Sequence, residues 1–268
     1  MSSQYNGFVI ELHFSVGSVL SRTFSTLRHQ PVLFFGLAAM ATLPSTLINF
    51  TGFGALSMPV IYFFVNLTLG LMVQGAIAYG VFLSLAGDDP SWGEVLSRGF
   101  RRVFYLFLIA VIIWILSVFL IFVSIMLVIM TSIISILAFL TMFFMAVVMI
   151  CLICSWAVTI QACVVEQLGP IASINRSARL TKGYRWHLFA LFLIVLLGFA
   201  AFTVVGTMIL SLALPRYMLL APQVKVAVMF MTGLFGTAFL GVMCSVIYYD
   251  LRAAKEGLTI DSLADIFD

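Results

Sequence analysis

The feature that most constrains the fold of this chain is an uninterrupted apolar stretch from Val103 to Val165. Its 63 residues include no charged residue, no glycine and no proline. A helix crosses the roughly 30 Å hydrocarbon layer of a membrane with about 20 apolar residues. The stretch is too long for one crossing, and three crossings would place its basic flanks on opposite sides of the membrane. We therefore expect two helices, with the turn near residues 131–135.

The composition of the whole chain also indicates a membrane protein. The 268 residues are 63% hydrophobic and 9% charged, whereas a soluble domain is about 45–50% apolar and about 25% charged. We predict an all-α integral membrane protein with six transmembrane helices. The expected crossings are residues 31–52, 57–85, 103–128, 135–165, 186–213 and 226–249.

The lysine and arginine residues predict the orientation of these crossings. Eleven of the 13 cations fall on one side, and Arg216 and Lys225 fall on the other. Because cytoplasmic loops carry the excess of lysine and arginine, both termini are expected in the cytoplasm. Residues 1–11 include no basic residue, so they lack the positive region of a signal peptide and we expect them to be retained.

A ten-residue motif recurs along the chain. Residues 15–24 return as residues 91–100, 76 positions later, with seven identities. A weaker third copy aligns residues 174–176 with residues 96–98 at a spacing of 78. In the first two copies the apolar residues follow the i, i+4 spacing of an amphipathic helix, which is expected to lie flat in the headgroup layer.

Each copy precedes one pair of crossings, so we predict three parallel repeats of an interfacial amphipathic helix plus a helical hairpin. Arg22, Arg98 and Arg176 should occupy equivalent interfacial positions. The predicted segments are a cytoplasmic N-terminal segment (1–14), three repeats (15–85, 86–165 and 166–252) and an acidic amphipathic cytoplasmic tail (253–268). Leu263 and Phe267 share one face of that tail, which therefore either folds back under the bundle or is a frayed end.

Small residues recur at four-residue spacing in the second helix of each hairpin. Small side chains let transmembrane helices approach closely, which favours an inner ring made of these three helices, although chance in a glycine- and alanine-rich chain is the alternative. The candidate packing residues are Ala76, Gly80, Ser84, Cys151, Ser155, Thr159, Cys163, Gly233, Thr237, Gly241 and Ser245.

The crossings include no charged or ionisable residue at mid-membrane depth, which disfavours a proton relay or an ion path built on such groups. Asn66, Gln74 and Gln161 either line a path or only bridge helices. Cys151 and Cys154 form a C-x-x-C pattern, but within the membrane its thiols lack the exposed, electropositive setting of a redox site. We expect no catalytic residue, no metal, no cofactor and no nucleic-acid partner.

A basic stripe lies beside the fifth crossing. Arg176, Arg179, Lys182 and Arg185 follow at three-residue spacing, with Trp186 at the membrane boundary. Such clusters attract anionic lipid headgroups, so these five residues are candidate headgroup contacts. The alternative is that the stripe only sets the orientation of the chain.

Two segments resemble a known family. One includes Trp156, Glu166, Gly169-Pro170, Arg176-Ser177, Leu180-Thr181, Gly183 and Arg185-Trp186, and the other runs from Tyr248 to Arg252 and continues with Lys255-Glu256-Gly257. Together they resemble the membrane domain family of bacterial glycerophosphoryl diester phosphodiesterases. The resemblance implies a multi-pass protein of the bacterial inner membrane. A fused phosphodiesterase barrel would need about 250 further residues after Asp268, so we expect a stand-alone, non-catalytic member.

Two functions remain open at the level of sequence. The first is a membrane module that organises lipid, or a protein partner, through its cytoplasmic face. The second is a small transporter or channel for a lipid-like or uncharged solute, with a path between the repeats. A continuous polar lining along the inner helices would favour transport, and a sealed apolar core would favour the module. The oligomeric state is not encoded in any pattern that we identify.

Overall fold

The computed structural model describes residues 15–51, 59–87, 90–131, 135–213 and 222–256. Helices account for nearly all of these ranges. They are α1 (Val16–His29), α2 (Pro31–Thr51), α3 (Pro59–Ala86), α4 (Trp92–Thr131), α5 (Ser135–Trp156), α6 (Thr159–Val165), α7 (Pro170–Thr181), α8 (Arg185–Ala213) and α9 (Pro222–Glu256).

Six helical segments are long and apolar enough to cross a membrane. They are Pro31–Ile48, Phe63–Ala86, Trp92–Met130, Ile136–Val165, Arg185–Leu210 and Val226–Glu256. The prediction of an all-helical chain with six such segments is confirmed. The expected turn near residues 131–135 falls mainly on residues 132–134, which lie outside the described residues, between the end of α4 at Thr131 and the start of α5 at Ser135. The predicted C-terminal tail, including Leu263 and Phe267, lies outside the described residues.

The amphipathic segments differ in how they join their hairpins. The helix α1 ends before Pro31, and α7 ends in a turn where Gly183 adopts a φ of 94°, a conformation that glycine tolerates best. In the second unit, by contrast, α4 runs through 40 residues without a break. The expectation of a separate interfacial helix is therefore wrong for this unit, which has neither a proline nor a positive-φ glycine at the corresponding place.

The predicted crossing 135–165 also differs from the structure, because it is divided into α5 and α6. Residues 157 and 158 form a turn, and the N-cap residue Val158 has a φ of −114° and a ψ of 19°. The short α6 is therefore a separate helix at the end where the polar residues collect. No glycine or proline marks the break, which explains why the sequence pattern did not reveal it.

The helices α3, α6 and α9 contact one another, and we call them the inner helices. Each of these three helices is in contact with a helix that carries an amphipathic segment: α9 with α1, α3 with α4, and α6 with α7. Two sets of residues at spacings of 76 and 78 share the same burial. Val19, Val95 and Ser173 are buried, and so are Thr23, Gly99 and Ser177.

The outer surface is strongly apolar. Phe119 on α4, Phe143 on α5 and Leu196 on α8 each expose more than half of their area, and many other large apolar side chains on these helices do the same. Soluble monomers rarely expose contiguous apolar patches of this kind. This surface therefore needs apolar surroundings.

Candidate functional site

Polar side chains collect at one end of the helical bundle, which we call the basic end. It includes the N-terminal part of α4, the end of α6, the helices α1 and α7, and the end of α9. The contacts that join these elements include those of Arg22 with Asp250, Arg102 with Gln167, and Arg176 with Glu166. The first and last described residues, Ser15 and Glu256, adjoin the helices of this end.

Arg176 is the centre of an ion-pair network at the basic end. Its Nε donates to both carboxylate oxygens of Glu166 at 2.8 Å, and its Nη2 lies 2.5 Å from Oε1 of Glu256. The hydroxyl of Tyr248 donates to Glu166 at 2.6 Å, and Nε of Arg252 donates to Glu256 at 3.1 Å. The network therefore fastens the connection between α6 and α7 to α9.

The electrostatics of Arg176 reflect this role. Desolvation by burial is the largest single influence and lowers its pKa, but the hydrogen bonds and charges of Glu166 and Glu256 together raise the pKa above its ordinary value. The guanidinium is held in its charged form by two carboxylates. It is therefore engaged within the protein and is not available to an outside anion.

The network joins the two segments that carry the family resemblance. Glu166 and Arg176 come from the first segment, and Tyr248 and Glu256 come from the second. Ser177 in the first segment also donates to the backbone carbonyl of Ser155 at 2.7 Å. These residues hold three helices together, which is a structural role that such motifs can serve without any ligand.

The basic stripe predicted from sequence is divided by the fold. Arg176 faces inward into the network, whereas Arg179, Lys182 and Trp186 are exposed. Arg185 is half-buried, and its Nε has no hydrogen-bond partner among the described residues. Three of the five candidates thus remain accessible at the surface.

A pocket of about 290 Å³ lies between the N-terminal part of α4 and the end of α6. We call it the first pocket, and its lining consists of Arg98, Arg101, Arg102, Tyr105, Val164 and Gln167. The three arginines follow at i, i+3 and i+4, a spacing that places side chains on one helix face. No acidic residue lines the pocket.

Two of these arginines are held in place by neutral groups. Arg98 lies over the ring of Tyr79 and Arg102 lies over the ring of Tyr105, each 5.3 Å from the ring centroid. Arg102 also donates to Oε1 of Gln167 at 2.9 Å. Within the described part of the chain, none of the three pocket guanidiniums forms an ion pair. Arg98 and Arg102 are therefore oriented, and no described carboxylate pairs with any of the three.

A second pocket of about 430 Å³ lies between α1 and the end of α3. Its lining consists of Ser25, Thr26, Arg28, His29, Ser84 and Leu85. This second pocket is also open, and its polar groups are two potential cations and three hydroxyls. No acidic residue lines it.

The contact between the inner helices is closed. A cavity of only about 10 Å³ remains where they meet, and it is lined mainly by apolar and aromatic side chains such as Val81, Phe82 and Tyr248. This volume is at the lower limit for one water molecule. Gln161 also lines the cavity and is buried, and its Oε1 has no hydrogen-bond partner among the described residues. Asn66 and Gln74, the other two amides that could line a path or bridge helices, are half-buried.

The small-residue stripes face neighbouring helices rather than this central cavity. A Cβ on Gly99 of α4 would lie 3.1 Å from Cβ of Ala76, and a Cβ on Gly241 would lie 3.0 Å from Ile77 of α3. Ser245 is the member of the set that lines the cavity, and Ser84 lines the second pocket. Ser155, Thr159, Cys163 and Gly80 are buried, and Cys151, Gly233 and Thr237 are half-buried.

The pocket arginines Arg101 and Arg102 are absent from the candidates that the sequence provides. The available signal was the group of three cations Arg98, Arg101 and Arg102 at helical spacing, but the repeat motif selected Arg98 alone. No family model, curated protein or solved structure matches the chain. The family resemblance described above therefore stays a prediction.

Proposed function

We propose that this chain is a non-catalytic, multi-pass protein of the bacterial cytoplasmic membrane that holds anionic lipid at a basic cytoplasmic face. The observation that carries the proposal is a contrast between two regions. At the basic end, cations surround two open pockets, whereas the inner helices close on a cavity of about 10 Å³. Cationic pockets at a membrane surface suit lipid headgroups, and a closed centre does not suit passage of a solute.

The proposed architecture is three parallel repeats arranged around the inner helices. Two observations support it. Residues such as Val19, Val95 and Ser173, at repeat spacing, are all buried. In addition, α4 packs on α3, α7 packs on α6 and α1 packs on α9, so that in the proposed ring each amphipathic segment contacts the inner helix of the unit before it. Arg22 contacts Asp250 on α9, Arg98 contacts Tyr79 on α3, and Arg176 contacts Glu166, the C-cap residue of α6. In the second unit the amphipathic segment is the first part of α4 instead of a separate helix.

The proposed orientation places the basic end in the cytoplasm, and cysteine labelling tests it. A cysteine introduced at residue 57 or residue 221 should react with a membrane-impermeant reagent added outside the cell. A cysteine at Ser91, beside the basic end, should react only after the cells are opened. The opposite pattern would overturn the orientation that the lysine and arginine residues predict.

Lipid preference tests the proposed function itself. The wild-type protein is placed in nanodiscs that contain phosphatidylglycerol and phosphatidylethanolamine, and its bound lipids are identified by native mass spectrometry. The ratio of phosphatidylglycerol to phosphatidylethanolamine among the bound lipids should exceed the ratio in the nanodiscs. The enrichment should fall as salt rises, because exposed charges are screened. Bound lipid that mirrors the supplied mixture at every salt concentration would contradict the proposal.

The alternative function is a small transporter or channel for a lipid-like or uncharged solute. The closed contact between the inner helices argues against a path at the basic end. Reconstituted vesicles should therefore show the same permeability to small uncharged solutes as vesicles without protein. Protein-dependent flux would favour transport over the lipid-holding module.

A further inference from the structure

We infer that the first and second pockets are equivalent sites of one repeated design, and that each binds the phosphate of an anionic lipid headgroup. This inference rests on the proposed function and adds the place, the number and the chemistry of the bound lipid. Its starting point is the spacing between the residues that line the two pockets.

Three of the six residues in each lining correspond at the repeat spacing. Ser25, Thr26 and His29 of the second pocket lie 76 positions before Arg101, Arg102 and Tyr105 of the first pocket. The opposite walls correspond as well, since Leu85 precedes the last residue of α3 and Val164 precedes the last residue of α6. Each pocket thus lies between the amphipathic segment of a unit and the end of the inner helix of the same unit.

The third unit shows why the design yields two sites and not three. The positions equivalent to Arg101 and Tyr105 are Arg179 and Gly183, at a spacing of 78. In this unit, Nζ of Lys255 on α9 donates to the backbone carbonyls of Arg179 and Lys182. The ammonium group of Lys255 therefore lies at the end of α7, where a headgroup would otherwise bind in the third unit.

The chemistry of the first pocket fits a phosphate. Guanidinium groups bind phosphate oxygens through two parallel hydrogen bonds, and charge-assisted bonds of this type are the stronger ones. Arg98 and Arg102 are already oriented by Tyr79, Tyr105 and Gln167. The nearby carboxylate of Glu94 accepts a hydrogen bond from the hydroxyl of Tyr79 at 2.9 Å, and among the described residues it forms no ion pair with the pocket arginines, which therefore remain able to bind a phosphate.

The surroundings favour a lipid over free phosphate as the source of that group. Phe104 is 65% exposed and its ring lies 6.2 Å from the ring of Tyr105, which lines the pocket. Phe100 on the same helix is also 65% exposed. These aromatic side chains offer an apolar surface for acyl chains beside a headgroup pocket, and a free phosphate would not use them.

Native mass spectrometry of the variants counts the sites. The wild-type protein from phosphatidylglycerol nanodiscs should retain two lipids at limiting lipid concentration. Arg101→Gln/Arg102→Gln should lower the doubly bound population at least about tenfold, since each lost charge-assisted bond corresponds to roughly a tenfold change or more. Arg28→Gln/His29→Gln, in the second pocket, should have the same effect. Each of the two double variants should therefore retain one tightly bound lipid. The single variant Arg101→Gln, at an exposed position, tests the first pocket with little risk to the fold.

The variant Arg179→Gln/Lys182→Gln separates the pockets from the basic stripe, because it removes two exposed stripe cations, both candidate headgroup contacts from the sequence, that line neither pocket. It should keep two lipids. A loss of lipid from this variant as strong as that from the pocket variants would overturn the inference, while anionic enrichment in the wild-type protein would still support the proposed function. Inorganic phosphate should displace no more lipid than sodium chloride at the same ionic strength, and stronger displacement by phosphate would overturn the assignment to lipid.

Discussion

Replacing Arg176 with alanine is expected to lower the free energy of unfolding by about 3 kcal/mol, because it leaves two carboxylates without their shared cation. The side chains of Arg176 and Glu166 are only 18% and 15% exposed, so water compensates for little of the loss. In a chain of this length the change corresponds to a fall in Tm of roughly 6–10 °C. Thermal unfolding in nanodiscs, followed by tryptophan fluorescence, measures it.

The matched control for this prediction is Arg179→Ala. Arg179 lies on the same helix, is exposed, and its described hydrogen bond is made by its backbone carbonyl. Its replacement should change the free energy of unfolding by less than about 1 kcal/mol. Equal destabilisation by the two variants would show that general loss of positive charge, and not the Glu166–Arg176–Glu256 network, explains the effect.

Replacing Gly99 with valine should disrupt the packing of α4 on α3. A Cβ at this position would lie 2.7 Å from the carbonyl oxygen of Met72 and 3.0 Å from the backbone nitrogen of Ala76. Backbone atoms cannot rotate away, so the two helices must separate, at an expected cost of about 3 kcal/mol or more. A lower Tm and a smaller monodisperse fraction in size-exclusion chromatography should both follow.

Gly93→Val on the same helix is the control for the Gly99 variant. A Cβ on Gly93 meets nothing within 4 Å, so this replacement should stay within about 0.5 kcal/mol of the wild-type protein. A Gly99 variant with the stability of the Gly93 variant would mean that α3 and α4 do not approach as closely as the structure describes.

The sequence predicted the elements that depend on long apolar runs. The predicted crossing 31–52 corresponds to α2 (Pro31–Thr51), and the predicted crossing 186–213 corresponds to α8 (Arg185–Ala213). These boundaries could be located because Pro31 and Gly183 interrupt the chain where helices change direction. The continuity of α4 was missed because the repeat motif suggested a break that no residue near Arg98 enforces.

The candidate site was predicted less well, for a physical reason. A row of cations at three-residue spacing does not reveal which of them is neutralised by a distant acid. Arg176 is neutralised by Glu256, 80 positions later in the chain, whereas Arg101 has no such partner among the described residues. Only the folded arrangement separates a structural arginine from one that is available to a ligand.

A single measurement tests the proposed architecture and the proposed lipid sites together: an experimental structure of the protein in nanodiscs that contain phosphatidylglycerol. We expect the three units to superpose by rotation about one axis through the inner helices, with Arg22, Arg98 and Arg176 at equivalent positions. A lipid phosphate should lie beside Arg101 and Arg102, and the centre should be closed. Arginines at opposite ends of the bundle, or a water-filled path between the inner helices, would contradict this account.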